Sequence, residues 1–286
     1  MRHVRMRCVL GAVLLLLSST AQAASFAQSV VSYDPGSAPA THWPDNTPYT
    51  NPAAALGAPE GVTEGFSGPN ILSVFNPAVA LNEIISIGHG GHLTLQLANK
   101  LIVGSGPSLG IFSTAAVSEA DWQNPCGTAG NPVTIFGGSV VNVDVSADGS
   151  QWVLLGSLNT NAPTNYYSDA SSPYLASGEG LTPADFSKPF TAPLSDLAGK
   201  NWPQILAVLD GSAGGTWLDL SSTGLVDVSY VRFSMPNDGN SLSPLYFNLD
   251  AVSIAAGHIG APVPEPGVLL LLVFSGVMGL RPRRRG

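Results

Sequence analysis

Glycine and proline set the first limit on what this chain can fold into. Its 286 residues include 32 glycines and 23 prolines, most of them scattered singly between short apolar runs and nowhere gathered into a linker. Proline removes a backbone donor and glycine carries an entropic cost inside a helix, so punctuation this dense favours short strands joined by turns. The runs between the breaks alternate. His92 to Leu97 places Leu93, Leu95 and Leu97 on one face, and Val141, Val143 and Val145 repeat the pattern with Asn142 and Asp144 turned outward, which is the period-2 signature of a half-buried strand. Asp148-Gly149, between Val141 to Ser146 and Gln151 to Leu155, predicts a tight type I′ hairpin. Leu225 to Met235 and Leu245 to Ile254 read as two more strands. Helix is confined to Pro203 to Leu209, about two turns with the proline early in the first, ending against Gly211. The expectation is all-β: one β-sandwich with long loops and one short helix, and with no internal repeat.

Both ends of the chain carry a different kind of sequence. Arg2, Arg5 and Arg7 precede the apolar stretch Cys8 to Leu17, and Ala21-Gln22-Ala23 has the small residues of a cleavage site, so residues 1–23 read as a secretory signal peptide. Cys126 is then the one cysteine left in the mature chain, which excludes an intrachain disulfide there. At the other end, Val263-Pro264-Glu265-Pro266 is followed by the uncharged run Gly267 to Leu280 and then by Arg281, Arg283, Arg284 and Arg285. A helix over those 14 residues reaches roughly 21 Å, short of the ~30 Å hydrocarbon core, so it spans only a thinned bilayer or spans with help from its flanks. The arginines stay cytoplasmic by the positive-inside rule, which puts Pro264-Glu265-Pro266 on the outer face of the inner membrane. The two prolines keep that strip extended.

This order of elements resembles the PEP-CTERM sorting signal of Gram-negative bacteria, which exosortase-type membrane enzymes handle. The resemblance implies an exosortase-type partner, transient residence in the inner membrane, and a final place at the cell surface or in the extracellular matrix. The plainer reading is a C-terminal tail anchor. The resulting division is a signal peptide over 1–23, a surface domain over 24–260 and a sorting segment over 261–286. A second resemblance runs through the domain. Tyr49 to Pro59, Ser86 to Leu95, Val143 to Gly149, Leu209 to Leu220, Val226 to Phe233 and Asn248 to Val252 look like blocks of exported cell-surface proteins that carry such a tail. Their fold looks like a galactose-binding-like jelly roll. Relatives usually carry acids where this chain has Ser108 and Ser113, so the resemblance transfers no ligand.

Charge narrows the partners. With both end segments set aside, Lys100, Lys188, Lys200 and Arg232 stand against eighteen of the 19 acids, a formal charge of about −14. That balance argues against nucleic acid and anionic membrane surfaces and suits neutral sugars or divalent cations. Acidity also simply keeps an exported protein soluble.

Asp250 lies in an apolar run, Phe247 to Ile254, that reads as buried on both faces, so its carboxylate needs a cation, an arginine or backbone amides beside it. If the last strand runs near the first, Asp34 joins it in an oxygen-ligand Ca2+ site; the ordinary alternative is an Asp34 turn and an Asp250 bonded to a nearby loop. Trp43 and Trp122, in loop-like surroundings, are candidates for a sugar platform. His89-Gly90-Gly91-His92 has helix spacing on what reads as a turn into a strand, so zinc is not expected there. No Gly-x-Ser-x-Gly elbow occurs, Cys126 has no evident histidine partner, and no pair of acids is singled out for glycoside chemistry. The expectation is therefore a non-catalytic, exopolysaccharide- or biofilm-associated surface protein. A carbohydrate-binding module is the main alternative, and a secreted hydrolase is less favoured.

Overall fold

The computed structural model describes residues 26–64, 69–124, 126–237 and 246–264. The signal-peptide stretch, Glu265, Pro266, the apolar run and Arg281, Arg283, Arg284 and Arg285 lie outside them. The strands, in chain order, begin with β1 (Ala27–Asp34), β2 (Val62–Thr63), β3 (Asn70–Ile71), β4 (Ile85–Gly88), β5 (His92–Ile102), β6 (Pro107–Ser113) and β7 (Ala116–Val117). They continue with β8 (Ile135–Phe136), β9 (Val140–Ser146), β10 (Val153–Asn159), β11 (Thr216–Asp219), β12 (Asp227–Ser234), β13 (Tyr246–Ile254) and β14 (Ile259–Pro262). Helix α1 covers Trp202–Leu209, and a few short 3-10 turns complete the set.

The strands form two principal antiparallel sheets, one six-stranded in the order β1-β5-β12-β9-β10 with β14 also on β5, the other four-stranded in the order β11-β6-β13-β4. Two small hairpins, β2-β3 and β7-β8, lie apart. The main core draws from both sheets. Leu93, Leu95 and Leu97 of β5, Val141, Val143 and Val145 of β9, and Val231 and Phe233 of β12 meet Ile85 and Ile87 of β4, Leu109 and Ile111 of β6, and Phe247, Leu249, Val252 and Ile254 of β13. This is the face-to-face burial of a β-sandwich, and the alternation seen in β5 and β9 supplies its inward sides. The expected all-β class is thus shown.

β13 departs from alternation because a bulge resets its phase. Leu249 pairs with Ser113 while Ala251 pairs with Phe112, leaving Asp250 as the extra residue. Ala251 then packs away from the main core, with Phe26, Phe112, Ala184, Phe186 and Ala213. Phe186 sets its ring edge-on to Phe112, with centroids 5.3 Å apart. The outer face of the four-stranded sheet is therefore covered by irregular chain rather than by water.

Helix α1 forms as its sequence predicts. Asn201 accepts from Gln204 N while the Gln204 side chain accepts from Asn201 N, a capping box with Pro203 in the first turn. Asp210 closes it in the left-handed region at φ 49°, and Trp202, Ile205 and Leu209 pack on Ile71, Val74, Phe75 and Leu197. The Asp148-Gly149 turn, by contrast, is not a two-residue hairpin. Val145 pairs with Val153, so six residues connect the strands, and among them only Gly149 has positive φ, at 77°. Asp148 acts as a side-chain cap instead: its Oδ1 accepts from Ser150 N at 2.8 Å and Gln151 N at 2.9 Å, which stabilises a wider loop than the dipeptide alone implies.

The two ends of the described domain meet at one residue. Ala98 N donates to Phe26 O at 2.9 Å, and Val263 N donates to Ala98 O at 2.9 Å. Gln28 Nε2 then reaches Val263 O at 3.0 Å and Gln96 Nε2 reaches Pro264 O at 3.1 Å.

Phe233 is fully buried in the main core, its ring 5.6 Å from that of Phe247. Phe233→Ala should lower unfolding free energy by about 3 to 5 kcal/mol, whereas Leu154→Ala, at a side chain 62 % exposed on β10, should change it by less than about 0.5 kcal/mol. Urea titration of both variants checks the contrast.

Candidate functional site

Trp43 stands on a loop whose shape is fixed by charge. His42 N donates to Thr47 O at 2.8 Å and Asn46 N returns to His42 O at 2.8 Å, while Asp45 Oδ1 accepts from Thr47 N at 3.0 Å. The His42 ring is held at both nitrogens, Nδ1 by Asp45 Oδ1 at 3.0 Å and Nε2 by Glu64 Oε2 at 2.8 Å. Its side chain is only 13 % exposed, and the Tyr49 ring lies edge-on to it at 6.1 Å. The hydrogen bonds to Glu64 and then to Asp45 raise the His42 pKa above 6.5, because both partners favour the imidazolium. Trp43 itself is 77 % exposed. The result is a solvent-facing indole on a pinned loop with two carboxylates beside it.

Trp122 is as exposed, at 78 %, on a separate loop. Asp121 Oδ1 accepts from Gln123 N at 3.1 Å and Asn124 N at 3.3 Å, forming the turn that presents it. Glu119 ties the base of this loop, accepting from Gly127 N at 2.7 Å, Thr128 N at 3.1 Å and the Tyr174 hydroxyl at 2.5 Å. Cys126 is exposed, its thiol facing Thr128 Oγ1 at 3.3 Å. The two tryptophan loops have different anchors. Ala40 N bonds Ser86 Oγ beside β4, whereas Ala129 N bonds Lys200 O next to α1. No ring contact joins the indoles among the described residues.

The structure does not bring Asp34 and Asp250 together. The last long strand does touch the first, at the Phe26–Ser253 bridge, but β1 then runs into the six-stranded sheet, and Asp34 ends it opposite His92. There Asp34 Oδ1 accepts from Gly36 N at 2.9 Å. Asp250 belongs to the four-stranded sheet, is 2 % exposed, and has no hydrogen-bond partner on either oxygen among the described residues. Burial pushes its pKa well above the ordinary carboxylate value, and the charges of Glu83 and Glu60 add to that.

Glu83 gave no signal in the sequence, yet it is a buried carboxylate whose Oε2 accepts from Thr63 Oγ1, Val79 N and Ala80 N. Ser108 and Ser113, at the positions where acids were expected, are buried on β6, and Ser113 Oγ donates to Thr160 O at 3.0 Å. The His89-Gly90-Gly91-His92 stretch is a backbone crossing. A side chain at Gly91 would sit 2.7 Å from Asp34 O, and His89 Nδ1 lies 3.2 Å from Pro236 O. Among the described residues no group of three or more His, Cys, Asp and Glu side chains converges to hold a metal ion.

Of the C-terminal motif, Val263 is buried and Pro264 exposed, both just beyond the end of β14, the strand that pairs with β5. No family model matches this chain, and no curated protein matches it.

The His42 bridge sets a pH dependence with a definite sign. A pKa raised in the folded state stabilises fully below the ordinary value of 6.5 and loses that contribution as pH rises through the raised value. The difference in Tm between the wild type and His42→Gln should therefore be largest at about pH 5.5 and shrink steadily toward about pH 9. A thermal melt series across that range reads it.

Proposed function

We propose that this chain is an exported, non-catalytic surface protein, delivered by its C-terminal segment to the cell envelope or extracellular matrix and associated there with exopolysaccharide. The reading rests above all on the order Val263-Pro264-Glu265-Pro266, apolar run, Arg281 to Arg285. The domain's geometry is compatible with it. Among the described residues, Val263 is the last whose amide is bonded into the sheet, through Ala98 O, which is consistent with a motif that starts at the border of the domain. The jelly-roll-like description of the sandwich and the exosortase-type partner belong to the same proposal.

A non-catalytic role fits the histidine chemistry. Both nitrogens of His42 are engaged by carboxylates, which leaves that imidazole no free lone pair for use as a general base.

The sorting experiment is intact-mass measurement of chain recovered from surface and extracellular fractions. Wild type should lose its C-terminal segment at or beyond Pro264, because the backbone up to Val263 is held in the sheet. Pro264→Ala/Glu265→Ala/Pro266→Ala should retain it. An unprocessed wild-type chain kept in the inner membrane would make the tail a plain anchor.

A second reading, a carbohydrate-binding module, is favoured by the exposed indoles of Trp43 and Trp122, since a flat apolar face beside carboxylate acceptors suits a sugar ring. Because the two loops are separate, Trp43→Ala and Trp122→Ala should each weaken retention independently in affinity electrophoresis against extracted exopolysaccharide. Unchanged mobility of both variants rejects this reading.

A further inference from the structure

The outer face of the four-stranded sheet holds an imbalance of hydrogen-bonding groups. Asp250 presents two buried oxygens without partners, and Asn248 Oδ1, Asn165 Oδ1 and Thr164 Oγ1 are likewise buried and unpartnered among the described residues. Their elements meet there. Asn248 and Asp250 lie on β13, Asp250 as the bulged residue itself. Thr164 bridges to Gly214, and Asn165 N donates to Ala213 O at 2.9 Å. Ala213 in turn packs in one cluster with Ala251, the residue after Asp250, and Tyr166 rests against that cluster.

The orientation of one amide is fixed by chemistry. Asn165 Nδ2 faces Tyr167 O at 2.8 Å, and a carbonyl can only accept, so Oδ1 must be the atom left over. Asn248 Nδ2 faces Thr114 Oγ1 at 3.5 Å, and its Oδ1 is again the free atom. The contact between these elements thus collects acceptors: a carboxylate and an amide oxygen on β13, and an amide and a hydroxyl oxygen on the segment that covers it. Glu83 and Glu60 add negative potential at Asp250. A desolvated group of this kind needs a positive partner, and one proton serves only one of its oxygens.

We propose that Asp250, Asn248, Asn165 and Thr164 form a binding site for a hard divalent cation of the Ca2+ class, enclosed between β13 and the segment 160–166. Oxygen-only donors exclude the soft metals, and the mix of a carboxylate with neutral amide and hydroxyl oxygens suits the adaptable shell of Ca2+ better than the strict octahedron of Mg2+. The donor set differs from a pairing of Asp34 with Asp250, and it does not depend on how the chain is sorted. Its role is structural: it fastens the irregular layer to the sheet.

The test uses the full chain, stripped with EDTA and then titrated with CaCl2, with MgCl2 as the comparison, read by calorimetric Tm and by isothermal titration. One Ca2+ per chain should bind, with Kd of about 10⁻⁴ to 10⁻³ M and a Tm rise of roughly 3 to 10 °C at about 10 mM Ca2+. Asp250→Asn should abolish the rise without lowering the Tm of the stripped protein. Asn165→Asp guards against a variant that fails to fold. With a cation site it should tighten Ca2+ binding about tenfold or more and enlarge the Tm rise; without one, the added buried carboxylate only destabilises. A wild type whose Tm is the same in EDTA and in Ca2+, or a Ca2+ response that persists in Asp250→Asn, overturns the proposal.

Discussion

Burial of β13 on both faces is the constraint around which the rest of the domain is arranged. Phe247, Leu249, Val252 and Ile254 fill the space between the sheets, and the bulge at Asp250 turns Ala251 to the opposite side, against Phe112 and Phe186. A strand in that position cannot leave its outer face to water. The long segments between strands, including 160–166 and 184–215 with α1 inside it, are therefore structural: they form a third layer whose backbone bonds, such as Ala184 N to Tyr166 O at 2.7 Å and Asp185 N to Gly211 O at 2.8 Å, run between loops rather than within a sheet. Such a layer needs many turns, and the chain's glycine and proline content is the compositional trace of it.

This division also explains which parts were legible beforehand. Period-2 alternation identified β5 and β9 because each turns its apolar side chains toward the facing sheet, although Thr94, Gln96 and Asp144 on their other faces are buried too, and Pro203 with the apolar run to Leu209 marked α1 to within a residue. The two-sided burial of β13 was readable from its largely apolar run, Phe247 to Ile254. Its bulge was not, since nothing local distinguishes the one extra residue. Asp148-Gly149 misled because a carboxylate that captures two amides stabilises a wider turn than the dipeptide alone implies. Asp34 and Asp250 misled for a topological reason. The first and last long strands do touch, but at Phe26 and Ser253, after which β1 crosses to the other sheet.

The candidate surfaces were legible in kind but not in support. Exposed indoles in loops can be read from proline, aspartate and asparagine neighbours, and both Trp43 and Trp122 are where that reading puts them. Glu64, which lies 22 positions after His42 and holds its Nε2, has no sequence signature at all. The same is true of Glu83, Thr164 and Asn165, whose significance arises only when the third layer folds over the sheet. Side chains that act across layers are joined by long-range packing, and no local pattern records it.

The meeting of both domain ends on Ala98 has a mechanical consequence. Force applied through a tether at the C-terminus acts first on Pro264 and Val263, just beyond β14, and loads the bonds to Gln96, Gln28 and Ala98 one after another. The edge strand is thus peeled like a zip rather than sheared along its whole length, and β1, whose start lies beside the same residue, comes next. A short stretch of edge takes the load before tension reaches the core between the sheets, which makes the attachment the compliant part of the molecule and the sandwich the rigid part.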